Sequence, residues 1–169
     1  IYGNSEETVV GTVVSGRDLP INNVESSVGL YINTLPLKVS YAEAGTVVEG
    51  IEKIQGNINE INSRSNINLA KLQSRGERLF DSVFVYENYP NVINEACENK
   101  LGLEFRGSIE VLDYPLAVLS YESEGELVFK IKYAGELFER STIEQILSVA
   151  ETLFVQIGEA LPGQKELKY

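Results

Sequence analysis

Two helix-start signals set into a chain of β-rich runs bound what this sequence can fold into. Thr46-Val-Val-Glu49 is a capping box, in which the threonine side chain meets the backbone three residues on and the glutamate reaches back. Val47, Ile51, Ile54, Ile58 and Ile61 follow at alternating spacings of 4 and 3, one apolar stripe on a helix that breaks at "NSRSN". Ser141 and Glu144 form a second such signal. They predict a helix from Thr142 to about Ala160 with Ile143, Ile146, Leu147, Ala150, Leu153, Phe154 and Ile157 on one face.

The segments between these helices read as strands. "TVVGTVVSG", residues 8–16, is rich in Val and Thr, and the polar loop "RDLPINNVESS" follows it. Residues 28–40, "VGLYINTLPLKVS", predict a buried strand in which Pro36 implies an edge, a bulge or a break. "LAKLQSRG" suggests a short helix or turn, "DSVFVYEN" a strand and "NVINEACENK" a helix. "SIEVLDYPLAVLSYE" and "ELVFKIKYA" predict a hairpin around "SEGE", with Leu127, Phe129, Ile131 and Tyr133 alternating against Val128, Lys130 and Lys132. The expectation is one layered α/β unit, a mixed β-sheet packed with helices.

Composition excludes several function classes. The 169 residues suit one domain with a substantial core. A net charge of −11 repels phosphate backbones and anionic lipid, so neither nucleic acid nor membrane is an expected partner. No apolar run approaches a membrane span and no signal peptide is evident, which, with an initial Ile1, suggests a fragment or processed piece of a longer soluble, cytoplasmic polypeptide. The one cysteine, Cys97, precludes an internal disulfide and reads as a packing residue. The chain has no histidine, so Ser-His-Asp and Cys-His catalysis are excluded within it, and a metal site is not expected. No P-loop, GxGxxG, HExxH, GxSxG or CxxC motif occurs.

The two most apolar segments nonetheless end in polar side chains: Asn33 and Thr34 in the first, Glu87 and Asn88 in the second. In that order, "TVVSGRDLP", "VESSVGLYINTLPLKV" and "LFDSVFVYENYP", with the closing "YPLAVLSYESEGELVFKIKYAGELFERSTIEQIL", resemble the C-terminal half of a condensation domain of nonribosomal peptide synthetases. The wording around "ENYP" is similar to the members that join two L-configured substrates more than to epimerisation or heterocyclisation relatives.

The resemblance implies a fold like one half of chloramphenicol acetyltransferase over residues 1–169. It also implies a tunnel between this half and an N-terminal condensation subdomain. Donor and acceptor peptidyl carrier domains would deliver phosphopantetheine-tethered substrates there, with an adenylation domain adjacent and no cofactor held by this chain itself. The family's His-His-x-x-x-Asp-Gly motif lies in the N-terminal half, so no catalytic residue is expected here, and the chain alone would be an inactive part of an acyl transferase. Asn33 and Thr34 match the family's Asn-Thr motif and are expected to face the tunnel, or else to satisfy backbone groups before Pro36. Ser15 and Arg17 either face the cleft or form a turn. Tyr86, Glu87 and Asn88 match a strand-end motif, for which turn formation is the alternative. Lys38 stands where the family often has arginine, losing the planar two-point grip. Asn66 and Asn68 depart from a His- and Pro-containing family segment and suggest a solvated loop. A non-catalytic carrier-docking or scaffold module is the alternative function; a coenzyme-A acyltransferase would need its own histidine. An uncovered apolar face would let the isolated piece dimerise.

Overall fold

The structure is a computed structural model that describes residues 5–17, 21–24, 26–41, 46–73, 77–87, 113–123 and 125–160. In chain order the elements are β1 (Glu7–Val14), β2 (Asn33–Ser40), α1 (Val47–Ser63), α2 (Leu69–Leu72), β3 (Ser82–Glu87), β4 (Leu116–Ser123), β5 (Glu126–Tyr133) and α3 (Arg140–Ala160). The five strands form one sheet in the order β2-β1-β3-β4-β5. β1, β3 and β4 run parallel, while β2 and β5 pair antiparallel at the two sides. This is the mixed sheet with helices that the sequence pattern implies. The expected helix over 91–100, with Cys97, lies outside the described residues.

Proline and glycine explain the sheet's margins. Pro36 has no N–H to give a second neighbour, and it sits opposite Gly11 on β2, the outermost strand on that side among the described residues. Gly11 leaves room for Phe80, whose buried ring a side chain at position 11 would strike. Phe80 also stacks on Tyr114, with ring centroids 5.3 Å apart. On the far side Ser123 faces Glu126 across a tight hairpin, and Gly125 there has φ +82°, a backbone region open mainly to glycine.

Val83, Ala117 and Leu119 form the buried centre of one sheet face, with Val13, Val85 and Tyr114 packed against them. By strand alternation in this register, Asn33, Leu35, Leu37, Phe84, Val118 and Phe129 lie on the opposite face. Helix α3 packs there: Phe154 stacks on Phe129 at 4.7 Å, and Ile143 is buried. At α1 the capping box forms as expected. Thr46 Oγ1 accepts from the Glu49 N–H at 3.2 Å, and Glu49 Oε2 accepts from the Thr46 N–H at 2.7 Å. Only the later part of the isoleucine stripe is used; Ile54, Ile58 and Ile61 are half-buried, while Val47 and Ile51 are exposed.

Two expectations are corrected. The strand predicted over 28–40 begins only at Asn33, and Val28, Leu30 and Ile32 are exposed rather than buried. The β1 partner strand explains the difference: its pairing runs out at Val14, opposite Asn33, so the chain beyond has no ladder to join. The second capping box does not form, because the helix already starts at Arg140 and Ser141 lies inside it. Glu144 is instead engaged by Arg140, whose Nε donates to it at 2.8 Å.

Candidate functional site

Four of the residues singled out by sequence, Ser15, Arg17, Asn33 and Thr34, fall into two knots on either side of the start of β2. The first is built on Arg17. Its Nη1 donates to the carbonyls of Val24 at 2.6 Å and Ser27 at 3.1 Å, and its guanidinium lies 4.7 Å from the centre of the Tyr31 ring. The Ser27 hydroxyl donates to the Val24 carbonyl at 2.8 Å and sits 2.8 Å from the Tyr31 hydroxyl. Gly16, at φ +67°, passes so close beneath the Tyr31 carbonyl oxygen that a Cβ would overlap it. Ser15 is exposed, and its Oγ accepts from the Arg17 N–H at 3.2 Å. Ser15-Gly16-Arg17 is therefore the clamp that fixes the 21–31 loop. A guanidinium suits this role because one of its NH2 groups can serve two carbonyls while its flat face stacks on an aromatic ring.

The second knot is built on Asn33. Its Nδ2 donates to the carbonyls of Ser65 at 2.9 Å and Ile67 at 2.6 Å, and its Oδ1 accepts from the Thr34 N–H at 2.9 Å. One side-chain amide thus joins the first residues of β2 to the turn between α1 and α2. Thr34 is half-buried opposite Val13. The expected solvated loop at Asn66 and Asn68 is more structured than its composition implies. Asn68 caps α2, its Oδ1 accepting from the Ala70 N–H at 2.9 Å. Asn directly before "LAKL" was the available signal, a short polar acceptor ahead of helix-forming residues.

Tyr86 and Glu87 end β3, the strand beside β1, at the same end of the sheet as Val14 and Asn33. Tyr86 is exposed; Glu87 is half-buried opposite Tyr121 of β4. Lys130 reaches over the Tyr121 ring, 4.9 Å from its centre. The Lys130 pKa is raised, first by its hydrogen bond to Tyr121 and in smaller part by the nearby Glu87 carboxylate. Sequence reasoning did not connect these three: the β3–β4 register sets Glu87 beside Tyr121, and Lys130, paired with Leu119, is the diagonal neighbour of Tyr121 on the same face. Asn88 lies outside the described residues. Lys38, in the position where the motif often carries arginine, pairs with Glu7 at 2.8 Å on the open surface, which contributes little.

Between β2 and α1 runs a shallow groove of about 450 Å3 lined by Glu7, Pro36, Lys38, Lys53, Asn57 and Glu60. A smaller apolar pocket of about 150 Å3 lies beside it against Leu35, Ile61, Ile67 and Leu72. None of the expected site residues among the described residues lines either of these two. Among the described residues, no three His, Cys, Asp or Glu side chains gather as metal ligands, and no helix is long and apolar enough to cross a membrane.

The hydrogen bonds of Arg17 and Asn33 fix the head of β2 and the loop before it. N-(5-amino-5-carboxypentanoyl)-L-cysteinyl-D-valine synthase of Amycolatopsis lactamdurans is 46% identical over 166 residues, which is 93% of this chain and 4% of that protein. The synthase of the same name from Penicillium chrysogenum is 40% identical over 95% of this chain, again 4% of its own length. Among solved structures, the first condensation domain of the CDA synthetase superposes with a TM-score of 0.62 at 13% identity, covering 92% of this chain and 34% of that one. The epimerization domain from the third module of tyrocidine synthetase B gives 0.57 at 16% identity, over 92% and 38%, so the fold alone does not separate these two kinds. The chain spans a few per cent of its synthase relatives and about a third of the solved domains. The family profile described as Condensation domain matches residues 1–165, and the chain belongs to the condensation-domain family.

Proposed function

We propose that this chain forms one wall of a channel in which two carrier-tethered aminoacyl or peptidyl thioesters are joined by a peptide bond. The single observation that carries this reading is the family match over residues 1–165, which includes the Asn33-Thr34 motif at the head of β2. In the reaction, the amine nitrogen of the acceptor attacks the donor thioester carbonyl. The carbon–sulfur bond breaks, the donor's phosphopantetheine thiolate leaves, and the proton lost by the amine neutralises it. This chain has no histidine to carry that proton, so the imidazole comes from the part of the domain outside it. What this chain contributes is placement. Holding two tethered reactants in register removes on the order of 7–11 kcal/mol from the barrier. Donor and acceptor carrier domains, an adenylation domain and the companion condensation half are the partners this reading requires.

Asn33 and Arg17 serve the channel as positioning residues. Their polar groups are turned to backbone carbonyls, which supports a role in fixing β2 and its approach loop. The test is dipeptide formation by the complete condensation domain containing this chain, with loaded donor and acceptor carriers and mass-spectrometric detection. Asn33→Ala is expected to lower the single-turnover rate while leaving carrier affinity unchanged; an unaltered rate at matched stability removes Asn33 from the channel.

A second reading, a carrier-docking or scaffold module without chemistry, is favoured by one observation, the lack of histidine. It predicts that the coding sequence upstream has no His-His-x-x-x-Asp-Gly segment. Presence of that segment supports the enzyme.

A further inference from the structure

The approach to β2 carries its side chains on two sides with opposite fates. Tyr31 turns inward, its ring lying over Arg17, and a Cβ at the exposed Gly29 would meet that ring at 3.1 Å. Val28, Leu30 and Ile32, the alternate positions, are 101%, 91% and 55% exposed. Three aliphatic side chains in a row thus stand in solvent on a segment that is pinned, by Arg17 to the Val24 and Ser27 carbonyls and by Asn33 to Ser65 and Ile67. A pinned segment cannot fold these side chains back onto the sheet. An apolar ridge held outward in this way marks a contact surface.

We infer that the ridge Val28–Leu30–Ile32 is a docking surface for the remainder of the same condensation domain, the part outside this chain. Two facts select that occupant. The chain covers only 34% of the solved CDA condensation domain, so about two thirds of such a domain lies elsewhere and must abut this third. The stretch 26–37 has no charged residue in a chain of net charge −11, so the ridge offers nothing to a partner recognised by charge and suits a permanent apolar contact. The inference rests on the channel-wall reading and adds where the companion part sits: across the entry to β2, directly ahead of Asn33.

Thiol labelling of the complete condensation domain tests it. Cys97→Ser removes the thiol of this chain and serves as the parent whose own labelling is subtracted, and Leu30→Cys, Val28→Cys and an exposed reference, Glu136→Cys, are labelled separately on it without carriers. The two ridge cysteines are expected to react at least about tenfold more slowly than the reference, at a rate independent of protein concentration. Using two ridge positions guards against one variant failing to fold. Ridge labelling as fast as the reference overturns the inference. So does protection that appears only on adding carrier domains, or only as concentration rises, which assigns the ridge to a carrier or to a second copy. Dipeptide formation by the same preparations is read separately. Activity with an unprotected ridge sinks the ridge and keeps the channel reading, and a protected ridge without activity does the reverse.

Discussion

The side-chain amide of Asn33 holds the backbone of Ser65, thirty-two residues away, by a 2.9 Å hydrogen bond, and a second bond to Ile67 leaves neither amide proton free. Replacing Asn33 with Ala should cost about 1–3 kcal/mol, because two carbonyls and the Thr34 N–H lose their partner together. Asn33→Asp should cost more. It keeps the acceptor for Thr34 but sets a carboxylate against two carbonyl oxygens. Urea unfolding of the two variants checks the order; aspartate proving the milder change would contradict this geometry.

The Arg17–Tyr31 contact should be energetically coupled. Arg17→Ala removes two carbonyl bonds and a ring contact, and Arg17→Lys restores only charge. A double-mutant cycle with Tyr31→Ala should give about 0.5–1 kcal/mol of coupling. Additive single effects would remove the cation–ring contact from the clamp.

Gly16 is fixed by two independent constraints, φ +67° and the Tyr31 carbonyl beneath it. Gly16→Ala should therefore destabilise by more than about 1 kcal/mol, whereas Gly50→Ala in α1, where a Cβ meets nothing, should be stabilising. Equal effects at the two positions in thermal unfolding would contradict the account.

The sheet and its helices were legible because periodicity and caps are local. Thr46 and Glu49 sit three apart in sequence and meet in the structure, so the pattern and the contact are the same fact. The head of β2 was not legible for the opposite reason. Whether residues 28–32 extend a strand depends on where β1 runs out at Val14, nearly twenty residues earlier. Ser141 misled because the helix starts one residue earlier, at Arg140, so Ser141 lies within it. The motif residues themselves, Arg17 and Asn33, were found by resemblance. Their partners are backbone carbonyls, which carry no mark in a sequence.

The Glu49 carboxylate is held below its ordinary pKa, chiefly by the Thr46 N–H and then by the Thr46 hydroxyl. A depressed carboxylate contributes stability that is present above its unfolded pKa and lost as pH falls through the folded one. The stability gap between the native chain and Glu49→Gln should thus be full at neutral pH and close below about pH 4. A gap that widened in acid, followed by paired denaturation curves, would exclude the capping box as its source.

The central claim is that this chain shapes a condensation channel and relies on an imidazole from elsewhere in the domain. The direct measurement is single-turnover dipeptide formation from loaded donor and acceptor carriers, run with this chain alone and with the complete condensation domain. The account predicts product from the complete domain and none from the chain. Dipeptide from the chain by itself, or none from a complete and folded domain, would contradict it.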